Sequence, residues 1–315
     1  MADPATPLDE LPHGERIRSR RLANGVATVI ADATGLSKTD RDALEKDLHD
    51  AALTLPGVSE ARIAVTATEP ARTLIAVGAG KGGVGKSTVA ANLAVALAKA
   101  GKKVGLVDAD VYGPSQPTLL GSTDKPTADD DRLFPVEAHG IKFLSLGHLV
   151  SPGHALAWRG PMATGALAKL VDANWGDAEI LIVDLPPGTG DVQLSLIQKS
   201  RPAGAVIVST PQDLSLIDAR RAVDLFNKMS VPVLGVIENM ATYTCPDCGA
   251  DSHPFGTGGA EAAAAEMGVP FLGRLPLSLA IREASDAGTP PAAGSGPEAQ
   301  AFADLAAKLL AAVAH

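Results

Sequence analysis

The chain has 315 residues, of which 46% are hydrophobic and 20% are charged, and its formal net charge is −9. This length and composition allow one large α/β domain with a sizeable core and a second, small domain. The negative charge argues against nonspecific nucleic-acid binding, which needs a basic face, and no apolar run reaches the ~18 residues of a membrane span.

The N-terminal region carries a short alternation of strand and helix patterns. Residues 1–12 have the composition of a disordered segment and lack the apolar core of a signal peptide, so we expect a cytoplasmic protein. Residues 16–21 form a basic run that indicates the solvated face of a strand or a helix. A strand at residues 26–31, an amphipathic helix at residues 38–53 and an alternating strand at residues 61–68 then predict a small β-α-β unit.

The most informative stretch is a glycine-rich loop between a strand and a helix. A β-branched and apolar run at residues 73–79 leads into GKGGVGKST at residues 80–88, which fits the phosphate loop G-x-x-x-x-G-K-S/T. Glycines let a phosphate approach bare backbone N–H groups, and the following helix points its positive N-terminus at the same anion. Lys86 is expected to reach the terminal phosphates and the Ser87 hydroxyl to bind Mg²⁺.

The predicted nucleotide-binding residues of this loop are Gly80, Lys81, Gly82, Gly83, Val84, Gly85, Lys86, Ser87 and Thr88. A flexible glycine turn is the alternative, but the preceding strand, the following helix and a second strand ending in aspartate favour nucleotide binding. An ordinary phosphate loop does not require Lys81, which is therefore either a solvated lysine or a second cation on the phosphates.

Strand and helix patterns alternate along the rest of the chain. Continuous apolar runs predict buried parallel strands at residues 179–185, 203–210 and 231–238. Further strands are predicted at residues 141–146 and 269–272, and further helices at residues 162–174, 261–267, 279–286 and 298–313. A helix at residues 214–229 is predicted to place one set of apolar residues at helical spacing: Leu216, Ile217, Ala219, Val223 and Phe226.

This alternation predicts an α/β fold, with a parallel sheet covered by helices on both faces and nucleotide bound beyond the carboxyl ends of the strands. We expect residues 1–69 to form the small N-terminal domain and residues 70–315 the phosphate-loop domain. Trp158 and Trp175 are expected to pack in the protein, and His154 to be a loop residue.

Three aspartates follow predicted strands at the edge where a nucleotide would bind. Asp184 ends a buried strand and is followed by Pro-Pro-Gly, so we expect it to serve Mg²⁺ through a bound water, with the N–H of Gly188 directed at a γ-phosphate. Asp108 and Asp110 end another strand, and at least one of them is expected to act in hydrolysis or on Mg²⁺. The alternative for all three is a carboxylate that caps a strand or a loop.

Cys245 and Cys248 form a C-x-x-C pair and are the only cysteines of the chain. One pair supplies two thiolates, whereas zinc and iron–sulfur centres normally take four ligands. A closed site therefore needs other ligands, with His253 as a candidate for zinc, or a second subunit, because a symmetric dimer brings two pairs together. A redox disulfide or a surface loop without chemistry are the alternatives.

The phosphate loop is followed in order by VDADVYGPS, VDLPPGTGD, STPQD, ENM and CPDCG. In this combination the chain resembles the Mrp/ApbC family of iron–sulfur cluster carriers, which are P-loop ATPases of the deviant Walker A group that also contains MinD, ParA and the nitrogenase iron protein. The resemblance covers residues 73–290 and implies slow ATP hydrolysis that acts as a switch. It also implies that the N-terminal unit is a shortened form of the family's small domain, without a cysteine.

The resemblance assigns roles to individual residues. Lys81 resembles the signature lysine that reaches the nucleotide of the partner subunit in an ATP-sandwich dimer. Asp110 resembles the switch I carboxylate that orients the attacking water, so Lys81, Lys86 and Asp110 are the expected catalytic residues. Asp184 and Gly188 fall in the Walker B and switch II region. Asn239, in ENM, resembles the asparagine that reads adenine.

Cys245 and Cys248 match the pair that bridges one [4Fe–4S] cluster between two subunits. The resemblance thus implies a homodimer that binds ATP, Mg²⁺ and a cluster, and that passes the cluster to apo iron–sulfur proteins alongside the assembly machinery. No nucleic-acid or membrane partner is expected. The alternatives are a positioning ATPase of the MinD or ParA kind and a zinc-stabilised nucleotide switch without a cluster.

Overall fold

The computed structural model describes residues 7–67, 71–129, 132–149 and 160–314. Trp158, His154 and the start of the predicted disordered segment lie outside these ranges. The described residues fall into two compact units. One contains residues 7–67 and 71, with residues 128–129 and 174–177, and the other contains the remainder. The division of the chain at residues 69 and 70 into a small domain and an ATPase domain remains our proposal.

The strands in chain order are β1 (Ile17–Ala23), β2 (Val26–Asp32), β3 (Glu60–Thr66), β4 (Thr73–Gly78), β5 (Val104–Asp108), β6 (Thr127–Asp129), β7 (Arg132–Phe134), β8 (Val136–Ala138), β9 (Ile141–Ser145), β10 (Ile180–Asp184), β11 (Gly204–Ser209), β12 (Val233–Glu238), β13 (Tyr243–Thr244), β14 (Asp251–Ser252) and β15 (Phe271–Arg274). The helices are α1 (Lys38–Leu53), α2 (Lys86–Lys99), α3 (Gln116–Leu119), α4 (Gly160–Val171), α5 (Asp191–Ser200), α6 (Asp213–Lys228), α7 (Gly259–Met267), α8 (Leu279–Asp286) and α9 (Pro297–Val313).

The small unit is a three-stranded sheet with one helix. β2 pairs in parallel with β3, and α1 packs on them through Leu44, Leu48 and Ala52. The Ser37 hydroxyl caps α1 by accepting the N–H of Asp40 at 3.0 Å. This confirms the predicted β-α-β unit. The basic run at residues 16–21 belongs to β1, which adds an antiparallel edge strand to β2.

The large unit is built on an eight-stranded sheet. Its strand order is β15-β12-β11-β4-β10-β5-β9-β8, with parallel pairing throughout except at β8, which runs antiparallel to β9. Every residue of β5, β10 and β11 is buried, as their continuous apolar sequences predict. The carboxyl ends of β4, β5, β10, β11 and β12 therefore meet at one edge of the sheet.

Helices cover both faces of this sheet. α2 and α9 pack together on one face, against Ile75 and Val77 of β4. Gly78, one position further along β4 and thus on the opposite face, lies against the ring of Phe226 from α6. The predicted parallel, helix-covered α/β sheet is confirmed.

The buried residues of α6 differ from the predicted set, in which Leu216 is only partly buried. Ser215, Ala219, Ala222, Val223 and Phe226 are buried, whereas Ile217 is 48% exposed. The prediction for Ile217 was wrong because this residue lies about 160° around the helix from Ala219, at 3.6 residues per turn. The short elements β13, β14 and α3 and the helix α5 had no predicted counterpart.

Candidate functional site

The phosphate loop connects β4 to α2 at the carboxyl edge of the large sheet. A Cβ atom at Gly82 or Gly83 would meet nothing within 4 Å, so the loop leaves open space above its backbone for an anion. Gly80 and Gly85 are constrained by protein contacts instead. A Cβ at Gly80 would lie 2.1 Å from the carbonyl group of Asp218 in α6, and one at Gly85 would lie 2.3 Å from the amide nitrogen of Asn239.

Lys86 lies at the centre of a buried polar cluster. Its side chain is only 6% exposed, and its Nζ lies 2.5 Å from Oδ1 of Asp184 and 3.6 Å from Oδ2 of Asp110. The same Nζ lies 3.2 Å from Oγ of Ser87. The structure therefore brings together the predicted phosphate-binding lysine, the predicted Mg²⁺ ligand and both carboxylates.

Asp110 and Asp108 play different parts in this cluster. Asp110 lies next to Lys86 and accepts the N–H groups of Tyr112 and Gly113 through its Oδ1, at 3.0 and 3.3 Å. Its position in the loop after β5 is therefore fixed by the backbone. Asp108 has no contact with Lys86, so the structure favours Asp110 as the carboxylate that can face a bound nucleotide.

Asp108 is fully buried and lies opposite Asp184 in the register of β5 and β10. Burial, and then the charge of Asp184, raise the pKa of Asp108 to about 7. Asp108 accepts hydrogen bonds from Oγ of Ser145 at 2.8 Å and from the N–H of Gln116 at 3.0 Å. The loops after β5 and β9 are thus tied to the strand end that carries Asp108.

Gln116 is a buried member of this cluster that the sequence analysis missed. Its Nε2 donates to Oδ2 of Asp184 at 2.9 Å and to the carbonyl oxygen of Ser87 at 3.0 Å. Its Oε1 is buried and has no hydrogen-bond partner among the described residues. Only its place directly after VYGPS pointed to it, since a lone glutamine has no pattern of its own.

The fit of Mg²⁺ and a nucleotide can be judged from these side chains. Mg²⁺ prefers oxygen ligands and keeps several of its waters, which need acceptors. The Ser87 hydroxyl, the Asp184 carboxylate and the unpartnered Oε1 of Gln116 are oxygens of this kind within one cluster. The open backbone at Gly82 and Gly83 adds space for phosphate, so the residues present fit both groups.

Gly188, Asn239 and Lys81 surround the loop. The N–H of Gly188 donates to the carbonyl oxygen of Ala79 at 3.1 Å, and Nδ2 of Asn239 donates to that of Val84 at 2.8 Å. Both residues therefore contact the phosphate loop directly. Lys81 is half-buried, and no ion pair joins it to any residue that the structure describes.

Glu238, at the end of β12 and directly before Asn239, was also missed. It is fully buried and accepts the N–H of Ala260, at the start of α7, at 2.7 Å and Nε of Arg274 at 3.0 Å. This buried carboxylate links the ends of β12 and β15 to a helix N-terminus. In sequence Glu238 looked like part of an apolar strand.

The two cysteines lie in the turn of a hairpin formed by β13 and β14. The chain enters this hairpin three residues after Asn239, and the N–H of Cys245 donates to the carbonyl oxygen of Ala250 at 2.9 Å. Both thiols are free, with Cys248 exposed and Cys245 partly exposed. Hydrogen bonds from the N–H groups of Cys248 and Asp247, in that order, lower the pKa of the Cys245 thiol, which favours the thiolate that binds metals.

His253 does not complete a metal site with these cysteines. Its Nδ1 lies 2.9 Å from the carbonyl oxygen of Ala241. Among the described residues, no group of three or more His, Cys, Asp or Glu side chains is arranged to hold a metal. Within the described part of one chain, the cysteine pair thus offers two ligands, half of the usual number.

No helix within the described ranges is long and apolar enough to cross a membrane.

Comparisons with known proteins agree with this geometry. The family described as ParA, NUBPL iron-transfer P-loop NTPase, matches residues 71–310. An iron–sulfur cluster carrier protein of Deinococcus radiodurans is 48% identical over 286 residues, which cover 87% of this chain and 81% of the relative. An Arabidopsis thaliana iron–sulfur protein required for mitochondrial NADH dehydrogenase is 46% identical over 84% of this chain and 88% of its own length.

Two solved structures share the fold of the large unit. The nucleotide-binding protein of Archaeoglobus fulgidus in complex with ADP has 40% identity and a TM-score of 0.59, covering 69% of this chain and 86% of that one. The cell division ATPase MinD of Pyrococcus furiosus has 27% identity and a TM-score of 0.60, covering 76% and 99%.

Proposed function

Because the chain belongs to the ParA family of NUBPL-type iron-transfer P-loop NTPases, we propose that it is an ATP-dependent iron–sulfur cluster carrier. One observation carries this proposal. Asn239 contacts the phosphate loop at Val84, and the chain continues from it into the hairpin that holds two free cysteines. A change at the nucleotide can therefore reach the cysteines along a few residues of backbone.

The ATP site follows from the buried cluster. Lys86 binds the terminal phosphates, which requires its Nζ to leave Oδ1 of Asp184. Ser87 binds Mg²⁺ directly and Asp184 binds it through water. Asp110 orients the attacking water in this proposal, which is supported by the 3.6 Å between its Oδ2 and the Nζ of Lys86. When bound, Mg²⁺ would neutralise part of the phosphate charge.

Switch II contributes through Gly188. Its N–H is directed at the γ-phosphate in this proposal, which requires it to release the carbonyl oxygen of Ala79. Binding and hydrolysis of ATP thus exchange protein contacts for phosphate contacts at two places, Lys86 and Gly188. Hydrolysis is slow in this account because it serves to reset the switch.

The cluster is the cargo of the carrier. Cys245 and Cys248 of two copies supply four thiolates, the set that a [4Fe–4S] cluster takes. Lys81 of each copy reaches the nucleotide of the other in the resulting homodimer. The recipients are apo iron–sulfur proteins, and the cluster assembly machinery supplies the cluster. In this proposal the carrier works in the cytoplasm, where such thiols stay reduced.

Exposed apolar side chains support the homodimer. In the described part of the large unit, the exposed large apolar residues all follow the carboxyl ends of strands. They are Tyr112, Leu149, Met162, Leu214, Ile217 and Leu279. Exposed apolar side chains in segments that follow this edge of the sheet are available for contact with a second copy.

Cysteine variants test this function. We expect Cys245→Ala and Cys248→Ala to lose cluster loading under anaerobic reconstitution, measured by visible absorbance and by iron and sulfide assays, while ATP binding persists. Asp247→Ala, which changes the same turn without removing a thiol, is the control and should still load. A cluster retained in both cysteine variants would contradict the proposed function.

A further inference from the structure

Gln116 joins three parts of the ATP site. It is the first residue of α3, and its side chain is fully buried. Its Nε2 bridges Asp184 and the carbonyl oxygen of Ser87, and its backbone N–H donates to Asp108. One residue thus connects the first turn of α2 to the carboxylates that end β5 and β10.

The orientation of the Gln116 amide is determined by its neighbours. Both groups near Nε2, the Ser87 carbonyl and Oδ2 of Asp184, are acceptors, so the NH₂ group must face them. Oε1 is then the remaining acceptor of the amide, buried and without a partner in the described residues. Because buried polar atoms are almost always hydrogen-bonded in native proteins, an unpartnered acceptor at this position calls for a donor brought by a ligand.

Magnesium-bound water is a donor of this kind. Mg²⁺ retains several waters in nucleotide sites, and a water bound to a cation donates both of its hydrogens. The Mg²⁺ candidates Ser87 and Asp184 are the two residues that Nε2 of Gln116 contacts. We propose that the amide oxygen of Gln116 accepts a hydrogen bond from Mg²⁺-bound water when ATP is bound, while its Nε2 holds Asp184 in position.

A neutral amide suits this position. Asp108 and Asp184 are already fully buried, with Asp110 close by, so another acidic side chain would add repulsion. Gln116 also secures Asp184 during the exchange at Lys86. When Lys86 leaves Oδ1 for the phosphates, Oδ2 keeps its hydrogen bond to Gln116, so the carboxylate stays directed at the metal.

This inference rests on the proposed ATP function, and its test measures the coupling between Mg²⁺ and nucleotide. The affinity of the full chain for the non-hydrolysable analogue AMP-PNP is measured by calorimetry with Mg²⁺ and with EDTA. The affinity with Mg²⁺ divided by the affinity with EDTA is the ratio that is compared between variants. Gln116→Leu should lower the ratio about tenfold or more, the effect of one lost hydrogen bond to a charged group. Gln116→Glu should raise the ratio, because its added negative oxygen is attracted to bound Mg²⁺. In EDTA the same oxygen is repelled by Asp184.

Changes of the ratio in opposite directions in these two variants distinguish this role from a structural one. A residue that only stabilises the fold would weaken both affinities together and leave the ratio unchanged. Asn92→Leu is the matched control, because Asn92 is a similarly buried amide in α2 whose Nδ2 and Oδ1 both have protein partners, and it should keep the wild-type ratio. An unchanged ratio in Gln116→Glu overturns the proposal even if Gln116→Leu does not fold. A wild-type ratio of one would instead overturn the Mg²⁺·ATP function itself.

Discussion

Two positions of the phosphate loop require glycine for different physical reasons. At Gly80 a Cβ would collide with the backbone of Asp218, whereas at Gly82 it would meet nothing. We therefore expect Gly80→Ala to lower the free energy of unfolding by about 1–3 kcal/mol, as overpacking does. Gly82→Ala should leave stability nearly unchanged and weaken ATP binding, because its methyl group projects into the space for phosphate.

Urea unfolding and nucleotide titration of both variants check this difference. Equal loss of stability in the two would contradict the packing of Gly80 against α6.

Single residues were predictable where they occur in a patterned motif. The loop spacing located Lys86 and Ser87, and the strand ends located Asp110 and Asp184. Gln116 and Glu238 could not be found, because their roles arise from backbone and carboxylate groups that only the fold brings together. The strand-end pattern alone did not distinguish Asp110 from Asp108. The family resemblance assigned the role to Asp110, and the fold adds that Asp110 lies 3.6 Å from Nζ of Lys86.

At the scale of the elements, the end of β2 is stabilised by a carboxylate. Hydrogen bonds from Thr34, and then the guanidinium of Arg18, lower the pKa of Asp32 from 3.8 to about 2. The charged form therefore stabilises the fold above pH ~4, and this contribution is lost as the pH falls toward about 2. Asp32→Asn should destabilise β1 and β2 at pH 7, by less than ~1 kcal/mol because the ion pair is partly exposed.

Amide hydrogen exchange of residues 17–32 across this pH range measures the effect. The difference between variant and wild type should shrink between pH 4 and 2, and a difference that persists at pH 2 would contradict the role of the Asp32 charge.

Whole elements were predictable when they were long and apolar. The runs that became β10, β11 and β12 are continuous and apolar, and α1 and α6 have helical spacing over several turns. β13, β14 and α3 contain two to four residues, too few to show any period. α3 is held by the hydrogen bonds of Gln116 to distant segments, whereas β13 and β14 pair with each other in the hairpin that carries the cysteines.

At the scale of the whole molecule, the two chemical sites share one edge of the sheet. Parallel strands bring their carboxyl ends together, so the phosphate loop after β4, the carboxylates after β5 and β10, and the hairpin after β12 become neighbours. The alternation of strands and helices was sufficient to predict this arrangement. The completion of the cluster site was not predictable from one chain's fold, because two cysteines supply half of the ligands.

The central claim is that two copies of this chain share one cluster. Anaerobic iron–sulfur reconstitution of the purified chain, with iron and sulfide assays and the mass in solution, tests it most directly. The account predicts about four iron and four sulfide per two chains, in a particle of twice the mass of one chain. A colourless protein that carries zinc or a Cys245–Cys248 disulfide instead would contradict it.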